Sequence, residues 1–163
     1  MNSIQIFWMQ IVASVLVFSL IAAWYVWPAL TKLPRNSALT ILLFVHVPRY
    51  VGMTLLVTGM IDPRLTREFL ADTAYGDLIM AGLALAAIYA LRSSWTIAIP
   101  LVWVANTWGF LDLLNAVRTV VQTNLPSYDL RTIWYIYIFY GPMVLVAHAL
   151  IFRVLLRSKS WSR

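Results

Sequence analysis

Five apolar runs, near residues 4–27, 38–60, 74–91, 96–117 and 133–156, take up most of this 163-residue chain. A helix needs roughly 20 apolar residues to cross the hydrocarbon of a bilayer, and each run is about that long. Backbone within lipid must satisfy its own hydrogen bonds, which leaves only helices and closed barrels. Barrel strands alternate in polarity over about 10 residues, whereas these runs are apolar throughout. The expected fold is an all-α membrane protein, a five-transmembrane-helix bundle forming one domain over residues 1–163. Short connections make neighbours in sequence antiparallel. Composition agrees: 62% apolar residues, 11% charged residues and a mean hydropathy of +0.81 fall outside the soluble range.

Charge gives the two ends different characters. Lys32, Arg35, Arg92, Arg153, Arg157, Lys159 and Arg163 fall on one side of the spans, and Arg64, Arg67, Arg118 and Arg131 on the other. The richer side is expected to be cytoplasmic, with the N-terminus outside. The carboxylates Asp62, Glu68, Asp72, Asp77, Asp112 and Asp129 lie on or near the outer side. Basic residues that flank spans serve topology, so no nucleic-acid partner is expected; the partner is the lipid bilayer. Trp24, Trp27, Trp95 and Trp161 are placed at the inner interface, Trp8 and Trp134 at the outer one, and Trp103 and Trp108 are read as packing residues. The chain has no cysteine, which removes disulfides, thiolate metal sites and cysteine nucleophiles. Bulky Trp24, Tyr25 and Trp27 close the first run, which therefore reads as a retained helix rather than a cleaved leader.

Between the second and third runs, Asp62 as an N-cap, Pro63 at the first helical position and Leu65, Phe69 and Leu70 at helical spacing predict a short outer interfacial helix within 61–73. Asn124-Leu-Pro-Ser127 has the composition of a turn. Gly82, Ala86 and Ala90 form a small-residue stripe whose first reading is packing within the bundle and whose second is a homo-oligomer contact. Pro48 and Pro142 interrupt the second and fifth runs, freeing the carbonyls of Phe44 and Ile138. No repeat, low-complexity segment or soluble-enzyme motif is present, so an enzyme is not the expected reading.

A few polar side chains sit where hydrocarbon is expected: His46, Arg49, Asn106, Asp112 and His148. Such residues are costly in a span and mark a functional site by default. At about 1.5 Å of rise per residue they form layers, with the histidines towards the inside, Arg49 and Asn106 near the middle and Asp112 outward. On α-helical spacing His46, Arg49, Tyr50 and Met53 share one stripe, Asn106, Gly109, Asp112 and Asn115 another, and Tyr137, Tyr140, Gly141, Val144 and His148 a third. Converging stripes would line one pocket with Arg49, Asn106 and Asp112 at its centre and Tyr50 and Tyr140 on its walls. Each residue also has a plain structural reading. Arg49 with Asp112 can be a pair that fixes helix register, each histidine can bond a freed carbonyl, and Asp77 and Asn115 sit near enough to the interface to be solvated.

Geometry ranks the functions. A metal hydrolase needs about three ligands around one ion, and here the carboxylates and imidazoles lie in different layers. No catalytic set and no metal site is expected. The leading expectation is binding or transport of a small amphiphilic or hydrophobic ligand at His46, Arg49, Tyr50, Asn106, Asp112, Tyr140 and His148, with a proton-coupled carrier as a special case. The alternative is a b-type haem held by His46 and His148, with Arg49 at a propionate, in membrane electron transfer. Ligand identity, and the choice between binding and transport, stay open.

His46-Val-Pro-Arg-Tyr-Val-Gly-Met, Ala74-Tyr-Gly-Asp-Leu, Asn106-Thr-Trp-Gly-Phe-Leu-Asp112 and His148-Ala-Leu-Ile-Phe152 resemble segments of small bacterial multi-span inner-membrane proteins with no assigned activity. The resemblance implies a multi-pass location in the bacterial cytoplasmic membrane and lends no reaction. In size the chain is also similar to the tryptophan-rich sensory and translocator proteins. It lacks their Trp-Asn-Pro-Pro segment, so their porphyrin and sterol binding is not carried across.

Overall fold

The computed structural model describes residues 1–157. Expectations for Lys159, Trp161 and Arg163 lie outside the described residues. Five long helices make up nearly all of the rest: α1 (Ser3–Leu30), α2 (Arg35–Leu56), α3 (Arg67–Arg92), α4 (Ala98–Gln122) and α5 (Ile133–Leu156). Four of them, α1, α2, α3 and α5, are long and apolar enough to cross a membrane. α4 is comparable in length, but Asn106, Asp112, Asn115 and Arg118 make it more polar.

Prolines shape three of these helices. Proline has no N–H to bond the carbonyl four residues back, and its ring crowds that carbonyl. In α1 and α5 the strain is taken up by a single widened turn just before the proline: Ala22–Val26 ahead of Pro28, and Ile136–Tyr140 ahead of Pro142. The Trp27 N–H donates to Ala22 O and the Gly141 N–H to Ile136 O, five residues back in each case. At Pro48 the response differs. The α-helix of α2 stops at Phe44, and the chain continues from Val47 to Leu56 as a tighter 3-10 helix.

The expected outer interfacial helix is not found among the described residues. Phe69 and Leu70 belong instead to the first turns of α3, which begins well before Ala74 because Arg67 and Glu68 are good helix formers that a hydropathy reading discards. Asp62 caps no helix. Its carboxylate accepts from the Arg64 N–H at 2.9 Å, the Arg64 guanidinium at 2.5 Å and the Asp129 N–H at 3.2 Å, tying the α2–α3 turn to the α4–α5 connection. The hydrogen bonds from Arg64 hold the Asp62 carboxyl well below the usual carboxylate range and raise Arg64 in return.

α2, α3, α4 and α5 form a closed ring in which each packs on the next and α5 returns to α2, while α1 packs chiefly against α5. Ala84, Ala87 and Ala90 on α3 are buried in the ring and allow close approach. Gly82 and Ala86 face outward, so the expected small-residue stripe is split, and only Ala90 packs inside the ring. Trp103 packs on Phe152 at a ring separation of 5.8 Å. Trp108, 47% exposed, is not an interior packing residue. At one end of the bundle the Arg153 guanidinium lies 3.9 Å over the Trp27 ring, and Arg35 Nη2 donates to Leu155 O at 3.0 Å, satisfying a terminal carbonyl of α5. At the opposite end Phe7 meets Trp134 edge-on at 5.1 Å, and Trp134 Nε1 donates to Gln10 Oε1 at 2.9 Å.

Candidate functional site

The 3-10 half of α2 decides which of its side chains enter the ring. With three residues per turn, positions i and i+3 eclipse, and His46, Arg49, Gly52 and Leu55 stack into one buried stripe. Tyr50, which α-helical spacing places beside them, is rotated outward and 55% exposed.

Arg49 lies in the bundle at 3% side-chain exposure, between carboxylates from two other helices. Its Nε donates to Asp77 Oδ1 on α3 at 2.6 Å, its Nη2 to Asp112 Oδ2 on α4 at 2.5 Å, and its Nη1 to the Gly109 carbonyl at 3.1 Å. The two bonds to the carboxylates are short and charge-assisted. The two aspartates are 16% and 18% exposed. Glycines clear their way: a Cβ at Gly52 would overlap the Asp77 carboxylate, and one at Gly76 the Asp112 carboxylate. Sequence reasoning brought Arg49 and Asp112 together and missed Asp77.

A second polar layer lies beside the first. His46, Asn106 and His148 are each 0% exposed. Asn106 Nδ2 donates to His148 O at 3.4 Å, which turns its Oδ1 towards His148 Nδ1 at 2.8 Å. With the amide in that orientation, His148 Nδ1 is the donor to Asn106 Oδ1. The His46 and His148 rings are in contact, with centroids 4.2 Å apart at 44°. Neither nitrogen of His46, nor Nε2 of His148, has a hydrogen-bond partner among the described residues. Metal–nitrogen bonds of roughly 2 Å on each side of an iron would separate the two ring centroids by about 6 Å, with a porphyrin plane between them. The observed ring contact does not fit that arrangement.

The carbonyl that finds a partner near Pro48 is not that of Phe44, as α-helical spacing predicts, but that of Val45, three residues before the proline: Tyr140 donates from its hydroxyl to Val45 O at 2.8 Å. Tyr140 also borders a cavity of about 320 Å³ between α1, α4 and α5. Phe7, Trp8, Ile11 and Val15 form one wall, Leu113 to Val120 of α4 a second, and Ile136 to Leu145 of α5 a third. Arg49, Asp77 and Asp112 are the charged side chains that reach it. Of the seven candidate site residues, Arg49, Asp112 and Tyr140 line this cavity, whereas His46, Asn106 and His148 form the adjoining layer and Tyr50 faces outward. Asn115 is exposed. Asp77, Trp8 and Tyr137, none of them among the seven, also line it.

No curated protein and no solved structure matches this chain. A family model does match, over residues 6–156, and the chain therefore belongs to the family described as a domain of unknown function, DUF8737.

Proposed function

We propose that this protein is an integral membrane protein of five spans in the bacterial cytoplasmic membrane, which binds a small amphiphile in the cavity between α1, α4 and α5 and serves its retention or transport. One observation carries this reading: a cavity of about 320 Å³, apolar over most of its wall, has a buried ionic triad at one place. Small-molecule sites are typically clefts of roughly 300–1,000 Å³, mostly apolar with a few fixed polar groups. Val12, Leu16, Val17 and Leu20 of α1 and Leu111, Leu114 and Val117 of α4 are exposed, a surface that suits lipid rather than water. α4 joins α3 to α5 and packs on both, which supports its crossing beside them, and Asn106 and Asp112 turn its polar groups into the bundle.

The test is equilibrium binding of a fluorescent single-chain amphiphile to the protein in nanodiscs, with empty nanodiscs subtracted. Saturable binding of about one probe per chain is expected. Ala116→Phe, which puts a ring into the α4 wall, should weaken it by at least about tenfold, a loss of about 1.4 kcal/mol. Equal binding to wild type and Ala116→Phe would remove the cavity from consideration.

A further inference from the structure

We infer that the amphiphile is cationic, with an ammonium head held against the Asp77–Arg49–Asp112 triad and an alkyl tail among the apolar residues of α1, α4 and α5. The inference rests on the cavity being a binding site and adds the sign of its ligand.

Charge counting leads there. Arg49 with Asp112 alone would be neutral, and a less engaged Arg49 would invite an acidic ligand. Asp77 reverses that sign. Two carboxylates against one guanidinium leave the polar part of the cavity at a formal charge of −1, and these three are the charged residues that line it. An unbalanced charge inside a bundle costs several kcal/mol unless a counter-charge or a proton joins it. Arg49 is already committed through Nε, Nη1 and Nη2 to Asp77, Gly109 and Asp112, so an anionic head would meet two carboxylates before it gained a donor.

The neighbouring wall favours the same class by separate physics. Trp8, Tyr137 and Tyr140 line the cavity with Phe7. Aromatic faces attract ammonium groups through the ring quadrupole, best when the cation is desolvated, and quaternary ammonium heads are commonly recognised in this way. The Tyr140 hydroxyl is held by Val45 O, which fixes its ring in place. Negative charge on one side, aromatic rings beside it and a long apolar wall beyond form a surface complementary to an alkylammonium.

The experiment displaces the fluorescent probe from wild-type protein in nanodiscs with three ligands that share one tail: decyltrimethylammonium, decanol and decanoate. Their partition into empty nanodiscs is subtracted. Decyltrimethylammonium should displace at a concentration at least about tenfold below decanol, with decanoate weakest; tenfold is about 1.4 kcal/mol, within the range of desolvated cation–π contacts. In Asp112→Asn and Asp77→Asn protein that elutes as a folded species, the gap should narrow. Decanol or decanoate matching or exceeding the ammonium compound overturns the cationic class and leaves the amphiphile site standing. An undiminished gap in both folded variants detaches the preference from the triad and overturns the inference as well. Displacement by none of the three removes the binding site itself. The headgroup ranking is read on wild-type protein, so a variant that failed to fold would not shelter the idea.

Discussion

Gly52 and Gly76 are the smallest parts of the site and the least replaceable. Each gives the space its Cβ would fill to a carboxylate from the next helix, Asp77 at Gly52 and Asp112 at Gly76. A methyl group there meets the charged end of a side chain already bonded to Arg49, so it cannot be absorbed by turning a flexible tip. Gly76→Ala is expected to destabilise the protein by about 1–3 kcal/mol, in the range of overpacked cores, and to lower the melting temperature in nanodiscs. An unchanged melting temperature would mean that Asp112 can leave the triad at no cost. The polar residues of this centre were readable in the sequence wherever they stood deep in an apolar run, as Arg49, Asn106, Asp112 and the two histidines do. Asp77 was not, because hydropathy starts the third run at Ala74, which puts Asp77 near the interface. Counted from Arg67, where α3 begins, it lies about 15 Å along the helix axis, level with the interior.

Among the elements, α2 shows how one proline changes which side chains form the site. Pro48 was legible as a break. The chain's answer to it was not, since the sequence does not say whether a helix resumes at 3.6 residues per turn or at three. The 3-10 continuation keeps His46 and Arg49 together and carries Tyr50 off the face. Its break also leaves Val45 O for Tyr140 to satisfy. Tyr140→Phe is therefore expected to cost about 1 kcal/mol, because the carbonyl then lies without its donor. Tyr50→Phe should stay within about 0.5 kcal/mol of wild type, as an outward position with no such bond. Thermal unfolding of the two variants side by side checks this, and equal losses would contradict the assignment of the buried face. In α1 and α5 the prolines act differently, each preceded by one wide turn while the helix continues, so these two keep the length that hydropathy gives them.

For the whole molecule, the number of crossings sets the topology. The five helices were legible from apolar length, although the start of α3 and the outer turn around Asp62 were not, since the polar contacts that fix them carry no hydropathy signal. Arg35 and Arg153 gather at one end with Trp27, and Asp62, Arg64 and Asp129 at the other. On the proposed five crossings with the more basic end inside, the N-terminus is expected outside and the C-terminus in the cytoplasm. Reporter fusions that are active only outside, at the N-terminus, or only inside, at the C-terminus, should both give signal; both termini on one side would exclude five crossings. The helix that lies outside the ring has a further consequence for assembly. α1 precedes the ring helices in the chain and α5, its main packing partner, follows the other three, so the pairing closes a long loop and cannot form until α5 has been made. The four-helix ring has its own closed set of neighbours and does not wait for it. Docking of α1 then follows closure of the ring, and it is the step that walls in the chamber.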